Sequence, residues 1–241
     1  NATPAIVRSV ALYVLRLWLD DDVPLNEGLL EPLQLTIPPG LLNPRFDKDP
    51  TKAPAVVGGN VEISQRLTDL LLEAFGLAAN GAGTMNNFLF GDEGFGYYET
   101  LGGGSGAGPG FDGASGRQVH MTNTALTDPE IIEHRYPVRV WRHALRSGSG
   151  GDGQFRGGEG IVREVEFLRD LTVSFLTQRR LTEPRGLRDG ENGLRGGQWR
   201  ISAGGREERL APSCTFRVKR GERVRIETPG GGGWGDPRAR R

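Results

Sequence analysis

The stretch Gly102-Gly103-Gly104-Ser105-Gly106-Ala107-Gly108-Pro109-Gly110-Phe111-Asp112-Gly113-Ala114-Ser115-Gly116 is mostly backbone. With so little side chain it cannot bury enough apolar surface to make a helix or strand, so it reads as a loop whose main chain is the working part. A flexible Gly/Ser linker is the plainer reading of such a composition. The punctuation argues against it. Pro109, Phe111 and Asp112 interrupt the glycines, and the run exits into Arg117-Gln118-Val119-His120-Met121-Thr122-Asn123-Thr124 rather than into charged, solvated sequence. It therefore reads as an ordered, functional segment, with Phe111 pinning it and Asp112 held at its tip.

Upstream, Thr3 and Pro4 predict a helix start, and Ile6, Val7, Val10, Ala11, Val14, Leu15 and Trp18 recur at helical spacing. Asp20-Asp21-Asp22 reads as a solvated stop rather than a cation site. The prolines between Val23 and Asn43 leave one extended strand, Leu33 to Ile37. A second helix is predicted from Asn60 through Leu67, Leu70, Leu71 and Ala74, ending at Gly76, with an ordinary core face. Asp128-Pro129-Glu130 predicts a third, short helix stopped by Pro137. From Tyr136 the pattern turns to period two: Val138 and Val140, Ile161 to Phe167, Leu171 to Leu176, Trp199 to Ile201, Cys214 to Val218, and Val224 to Ile226. The fold class is α+β: a mixed α/β part with glycine-rich loops over 1–135, then a mostly antiparallel β-rich part over 136–241. Near the end, Gly230 to Gly233 resemble a frayed tail, except that Trp234 is too large an aromatic to leave unpacked. Arg238 to Arg241 read as disordered.

The chain has 241 residues, enough for a substantial core, and its 30 basic and 30 acidic residues cancel. Such a balance gives no global field for nucleic acid or an anionic membrane. Cys214 is the only cysteine, which excludes an internal disulfide and suits a reducing cytoplasm. The longest apolar run is too short to span a bilayer. The opening Asn1-Ala2-Thr3, without methionine, reads as a piece of a longer product.

Several chemistries are missing. No Gly-x-x-x-x-Gly-Lys-Ser/Thr loop is present, and the Gly-x-Gly-x-x-Gly at Gly108, Gly110 and Gly113 contains Pro109 and leads into no helix. No histidine spacing suits zinc, and no metal ligands are assigned. His134 and His143 sit among arginines and read as surface residues. His120 has two open readings: a satisfied structural imidazole, or one that transfers a proton or polarises a substrate, with Asp112 upstream. Asn86 and Asn87 stand level between a turn and an amide pair that fixes the glycine loop or a substrate carbonyl. Arg179 and Arg180 suit either a substrate carboxylate or pairing with Glu183.

Gly58-Gly59-Asn60-Val61-Glu62-Ile63-Ser64-Gln65-Arg66, Gly83 to Asn87, Gly106 to Gly116, His120 to Thr124, Asp128-Pro129-Glu130, Arg135-Tyr136-Pro137 and Thr228 to Pro237 closely resemble the hydantoinase B/5-oxoprolinase family, in order and over nearly the whole chain. The resemblance implies the C-terminal portion of a B subunit, or of the B half of a fused chain, in an ATP-dependent enzyme that opens cyclic amides. Such enzymes convert 5-oxoproline to glutamate or a hydantoin to a carbamoyl amino acid; acetone carboxylase has a similar subunit. It further implies that ATP and magnesium belong to a hydantoinase A-type component that phosphorylates the lactam oxygen, while the B component hydrolyses the activated ring. A divalent metal would take its ligands from the absent N-terminal half, and the piece alone would be inactive within a hetero- or homo-oligomer. On this reading His120 and Asp112 are catalytic, and Asn86, Asn87, Gly106, Gly108, Gly110 and Asn123 bind substrate, the glycine amides holding a developing oxyanion or phosphate. The alternative is a non-catalytic structural and assembly module.

Overall fold

The computed structural model describes residues 1–19, 22–24 and 26–240. Asp20 and Asp21 of the acidic stop and Arg241 of the tail lie outside them. Helix α1 (Pro4–Trp18) begins with proline in its first turn and buries Val10, Ala11 and Val14, although Thr3 makes no side-chain cap bond. One π turn over Gly59–Ile63 runs into α2 (Ser64–Ala74), so Asn60 lies inside that turn instead of capping the helix. The predicted stop is where the sequence places it. Gly76 takes a φ of +67°, its N–H bonds Glu73 O at 3.0 Å, and Leu77 N–H bonds Leu72 O at 2.8 Å, which is a Schellman closure.

The inner face of α2 departs from expectation. Ser64, Gln65, Thr68 and Asp69 are buried with Leu72, while Leu70 and Ala74 are exposed. A polar face can be buried only if its groups are satisfied, and the hydroxyls turn back onto the helix: Ser64 donates to Asn60 O and Thr68 to Ser64 O.

The strands are β1 (Asn86–Asp92) and β2 (Phe95–Thr100), then, after helix α3 (Pro129–Arg135), β3 (Val138–Arg146), β4 (Gly160–Phe167), β5 (Leu171–Thr177), β6 (Gly197–Ile201), β7 (Glu207–Arg209), β8 (Ser213–Val218) and β9 (Arg223–Glu227). They form two antiparallel sheets, ordered β2-β1-β5-β8 and β3-β4-β9-β6-β7. Alternate residues of both face one core. Phe88, Phe90, Val173 and Phe175 come from the first sheet, and Val165, Phe167, Val224 and Ile226 from the second. α3 adds Ile132, and its start is capped as predicted, with Glu130 N–H on Asp128 Oδ1 at 2.8 Å.

Three expectations need correction. The division at 135/136 runs through one sheet and one core, because β1 is hydrogen-bonded along its length to β5. Leu33 to Ile37 joins no sheet, its flanking prolines having removed the donors a ladder needs. The tail is also ordered through Arg240: Pro237–Ala239 make a single turn capped by Asp236.

One ion pair ties the sheets together. Arg163 of β4, fully buried, reaches Glu99 of β2 at 2.9 Å; Tyr97 donates to Glu99 at 2.8 Å and Arg163 donates to Thr127 O. A charge placed this deep is tolerated only while its partner is present.

The glycines form neither a loop nor a tail. Gly230, Gly231, Gly232 and Gly233 donate in turn to Leu194 O, Gly158 O, Asn80 O and Glu191 O at 3.1, 2.8, 2.8 and 2.9 Å, returning to the same neighbouring segment after three residues. Gly104 and Ala107, also three apart, both donate to the Pro229–Gly232 segment. A three-residue recurrence with bonds only to neighbours is the signature of polyproline II backbone, which has no internal hydrogen bonds. Segments around 79–82, 103–108, 149–158, 184–194 and 229–235 thus pack as a bundle of extended chains. Trp234 closes it against Phe155, ring centroids 6.0 Å apart.

Two stability outcomes follow from this packing. A Cβ on Gly231 would overlap the Ser105 carbonyl, whereas one on Gly96 meets nothing within 4 Å. Gly231→Ala is expected to cost more than about 4 kcal/mol or prevent folding, while Gly96→Ala stays within about 1 kcal/mol, by urea denaturation. Glu99→Gln is expected to cost about 3–5 kcal/mol in the same experiment, because it strands the Arg163 cation.

Candidate functional site

The bundle delivers its exit, Val119 to Thr122, against the polar face of α2. Met121 N–H donates to the buried Gln65 Oε1 at 3.1 Å, and the Thr122 hydroxyl meets that of Thr84 at 2.9 Å, both buried. Met121 packs on the cluster of Val10, Val14, Leu72 and Ala78 between α1 and α2. His120, immediately before these fastenings, takes a φ of +59°, a left-handed conformation that costs an ordinary side chain free energy and persists only where the surroundings impose it. Its Nδ1 lies 3.2 Å from the Tyr13 hydroxyl of α1, the rings meeting edge to face at 6.0 Å. Among the described residues its Nε2 has no partner. Burial pushes the imidazole down to about 4, so it is neutral at neutral pH. Burial also raises the Tyr13 phenol, which stays protonated.

A second polar cluster adjoins the same helix. Asp69 pairs with Arg179 at 3.3 Å and accepts from Gly81 N–H, and burial pushes its carboxyl up to about 6 in spite of the arginine. Arg179 has a left-handed backbone, φ +53°, and also reaches Asn80 Oδ1 and Glu183 O. Arg180 points elsewhere, donating to Asn86 Oδ1 at 2.8 Å, Gln198 Oε1 and Gln178 O, and burial lowers its guanidinium to about 9. Neither arginine pairs with the Glu183 carboxylate, which accepts from Asn192 instead.

The other candidates scatter around this centre. Asp112 is exposed at the far tip, where its carboxylate accepts from Arg156 N–H at 2.6 Å and lies 4.0 Å from Arg240; no bond joins it to His120. Phe111 is half exposed, its ring covering Gly108. Asn86 is held by Arg180, and Asn87 accepts from Thr100 at 2.7 Å while its amide group meets Met85 Sδ. The Gly108 amide is spent on Phe111 O, Gly106 is buried in the bundle, and Gly110 sits exposed in a turn at φ +95°. Asn123 is exposed and, with Gln118 and Arg117, lines an open cleft of about 490 Å³ beside the bundle. A cleft of about 550 Å³ on the first sheet holds none of these residues, and two of its three carboxylates, Asp92 and Asp170, already pair with Arg169 and Lys219. Among the described residues no three His, Cys, Asp or Glu side chains converge as a metal site. His134 and His143 lie on the surface.

Neither Tyr13 nor Gln65 was a candidate site residue in the sequence reading. Tyr13 is an aromatic on a helix with an apolar stripe and Gln65 lies on the hydrophilic side of α2, so only the helix–loop contact reveals what their polar ends do.

The description hydantoinase B/oxoprolinase matches residues 1–237. The chain belongs to that family. As a member of the hydantoinase B/oxoprolinase family it is 51% identical over 236 residues to the 5-oxoprolinase of Dictyostelium discoideum and 50% identical over 235 residues to 5-oxoprolinase 1 of Arabidopsis thaliana. Each alignment takes in 98% of this chain and 18% of the relative, so the chain spans under a fifth of their length. The fold matches the ATP-dependent caprolactamase from Pseudomonas jessenii with a TM-score of 0.74 at 24% identity, over 97% of this chain and 43% of that one. No described helix is long and apolar enough to cross a membrane.

His120 makes stability depend on pH. The unfolded imidazole takes up a proton near its ordinary 6.5, whereas the folded one resists to about 4, so its contribution is complete above pH 7 and is lost as pH falls through that window. The loss approaches about 3 kcal/mol at pH 4. Asp69 acts oppositely, losing stability as pH rises from 3.8 to about 6. Urea titrations at pH 7 and pH 4.5 should therefore show His120→Asn gaining relative to wild type at the lower pH.

Proposed function

We propose that this chain forms part of the ring-opening component of an ATP-dependent cyclic amide hydrolase of the 5-oxoprolinase or hydantoinase type, with His120 as the group that meets the ring. The observation that carries the reading is the imidazole itself: neutral, held on strained backbone, one nitrogen bonded to Tyr13 and the other unpartnered. A half-buried imidazole kept in an unfavourable conformation with one nitrogen open is what a binding or catalytic role calls for.

An unactivated lactam resists water, and activation by phosphorylation calls for a nucleotide site. This chain is a poor fit for one. Lys48, Lys52 and Lys219 are its only lysines, and the amides of Gly104, Ser105, Ala107 and Gly108 already donate to carbonyls within the bundle. ATP and magnesium therefore belong, on this reading, to an A-type component in a hetero- or homo-oligomer, and any divalent metal takes ligands outside this chain. The bundle is assigned the rigidity of the site rather than an amide cradle. Asn123 and the cleft beside it are the nearest open surface for a small lactam or hydantoin on the His120 segment, and Asp112 anchors the bundle tip through Arg156. Asn86 and Asn87 brace that frame through Arg180 and Thr100.

One observation favours the alternative of a structural and assembly module: the glycine amides are engaged internally. The two readings part in the complete enzyme, assembled with its ATP-binding component and assayed for ATP-dependent opening of 5-oxoproline. His120→Asn is expected to lower kcat by about 100-fold or more with KM and assembly retained, and Asp112→Asn by less than about threefold. Unchanged rates in both variants would assign the chain to scaffolding.

A further inference from the structure

We infer that Tyr13 is a positioning residue that holds His120 as the Nε2–H tautomer, so that His120 faces the ring carbonyl as a neutral hydrogen-bond donor and not as a base. This rests on the assignment of His120 given above.

Counting donors and acceptors leads to it. The Tyr13 phenol has one hydrogen to give, and among the described residues its only partner is His120 Nδ1, at 3.2 Å. Were Nδ1 protonated, it would donate to the phenol oxygen and leave the phenol hydrogen with no protein acceptor among the described residues. With the phenol donating, Nδ1 accepts and the imidazole proton resides on Nε2, the unpartnered nitrogen. Such a nitrogen has no lone pair to take a proton from water. It has a hydrogen to place on an oxygen that gains negative charge as a lactam carbon is attacked or phosphorylated, the role a neutral imidazole N–H plays in polarising a carbonyl.

The geometry resists the other arrangement. The two residues after His120 are fastened, Met121 N–H on Gln65 and the Thr122 hydroxyl on Thr84; Thr122 N–H closes back across it on Val119 O, and from a left-handed backbone the ring meets Tyr13 of α1. A ring flip would exchange Nδ1 for Cδ2 and present carbon to the Tyr13 hydroxyl.

The chain has only three histidines, so long-range proton–nitrogen NMR of the ¹⁵N-labelled full chain resolves each imidazole, with His120→Asn identifying its signals. The wild type is expected to show a single His120 tautomer, Nδ1 unprotonated and Nε2 protonated, and Tyr13→Phe to show a mixture. An Nδ1-protonated wild type, or an unchanged tautomer in Tyr13→Phe, overturns the inference. In the complete enzyme with ATP and 5-oxoproline, Tyr13→Phe should lower kcat about tenfold at unchanged KM, the effect of losing one orienting hydrogen bond. A shifted tautomer with an unchanged rate would leave the positioning by Tyr13 standing and overturn the role of His120 in the reaction. An unchanged tautomer overturns the positioning whatever the rate.

Discussion

The whole arrangement depends on main chain meeting main chain with no side chain between. A Cβ on Gly231 would occupy the place of the Ser105 carbonyl, one on Gly113 would meet the same oxygen, and Gly158 N–H already bonds it at 2.9 Å. Extended chains that approach this closely can satisfy their polar groups only by bonding sideways to several neighbours. Glycine loses more conformational entropy on ordering than any other residue, and that cost is offset here by many saturated, water-excluded hydrogen bonds. The consequence is rigidity without a hydrophobic core, at the point where two helices and two sheets must be held in register.

That constraint explains what the sequence disclosed and what it concealed. The strands after Tyr136 were readable because alternation over Ile161 to Phe167 or Val224 to Ile226 has one physical cause, a pleated sheet with one buried face. Gly76 and Asp128-Pro129 marked helix ends through local backbone chemistry alone. The glycine bundle was not readable in that way. Its periodicity of three lies in which neighbour each amide bonds, and the partners of Gly230 to Gly233 lie as far away in sequence as Asn80, which Gly232 bonds. Pro109, Phe111 and Asp112 did signal order, but order is compatible with either a cradle or a strut.

The site was legible to a similar degree. His120 stood out because it left a glycine run among polar neighbours. Its partner did not, since Tyr13 belongs to the stripe-forming helix α1 and differs from a packing aromatic only by its hydroxyl. The polar inner face of α2 was misread for a related reason: periodicity reports amphipathicity, and Ser64, Gln65, Thr68 and Asp69 supply the hydrophilic side of that moment. Burial of that side is a tertiary fact, imposed by the bundle and its exit, which need acceptors for Met121 and Gly81 amides.

The two polar clusters on α2 differ in what their burial accomplishes. Asp69 and Arg179 offset one another's desolvation at 3.3 Å, so their charge is spent on tying the helix to the end of β5 and the bundle. His120 has no opposite charge beside it; burial alone shapes its behaviour, and the neutral form is the one the site keeps. A neutral imidazole near neutral pH loses the ability to pair with an anion but keeps a directional N–H whose strength rises in a low-dielectric setting. Placing that group on a strained residue, immediately before two hydrogen-bonded fastenings and beside a bundle that cannot yield, restricts it to one orientation. Preorganisation of this kind is what electrostatic stabilisation of a developing oxyanion demands, because a donor that must first turn toward the charge gives back part of the free energy it supplies.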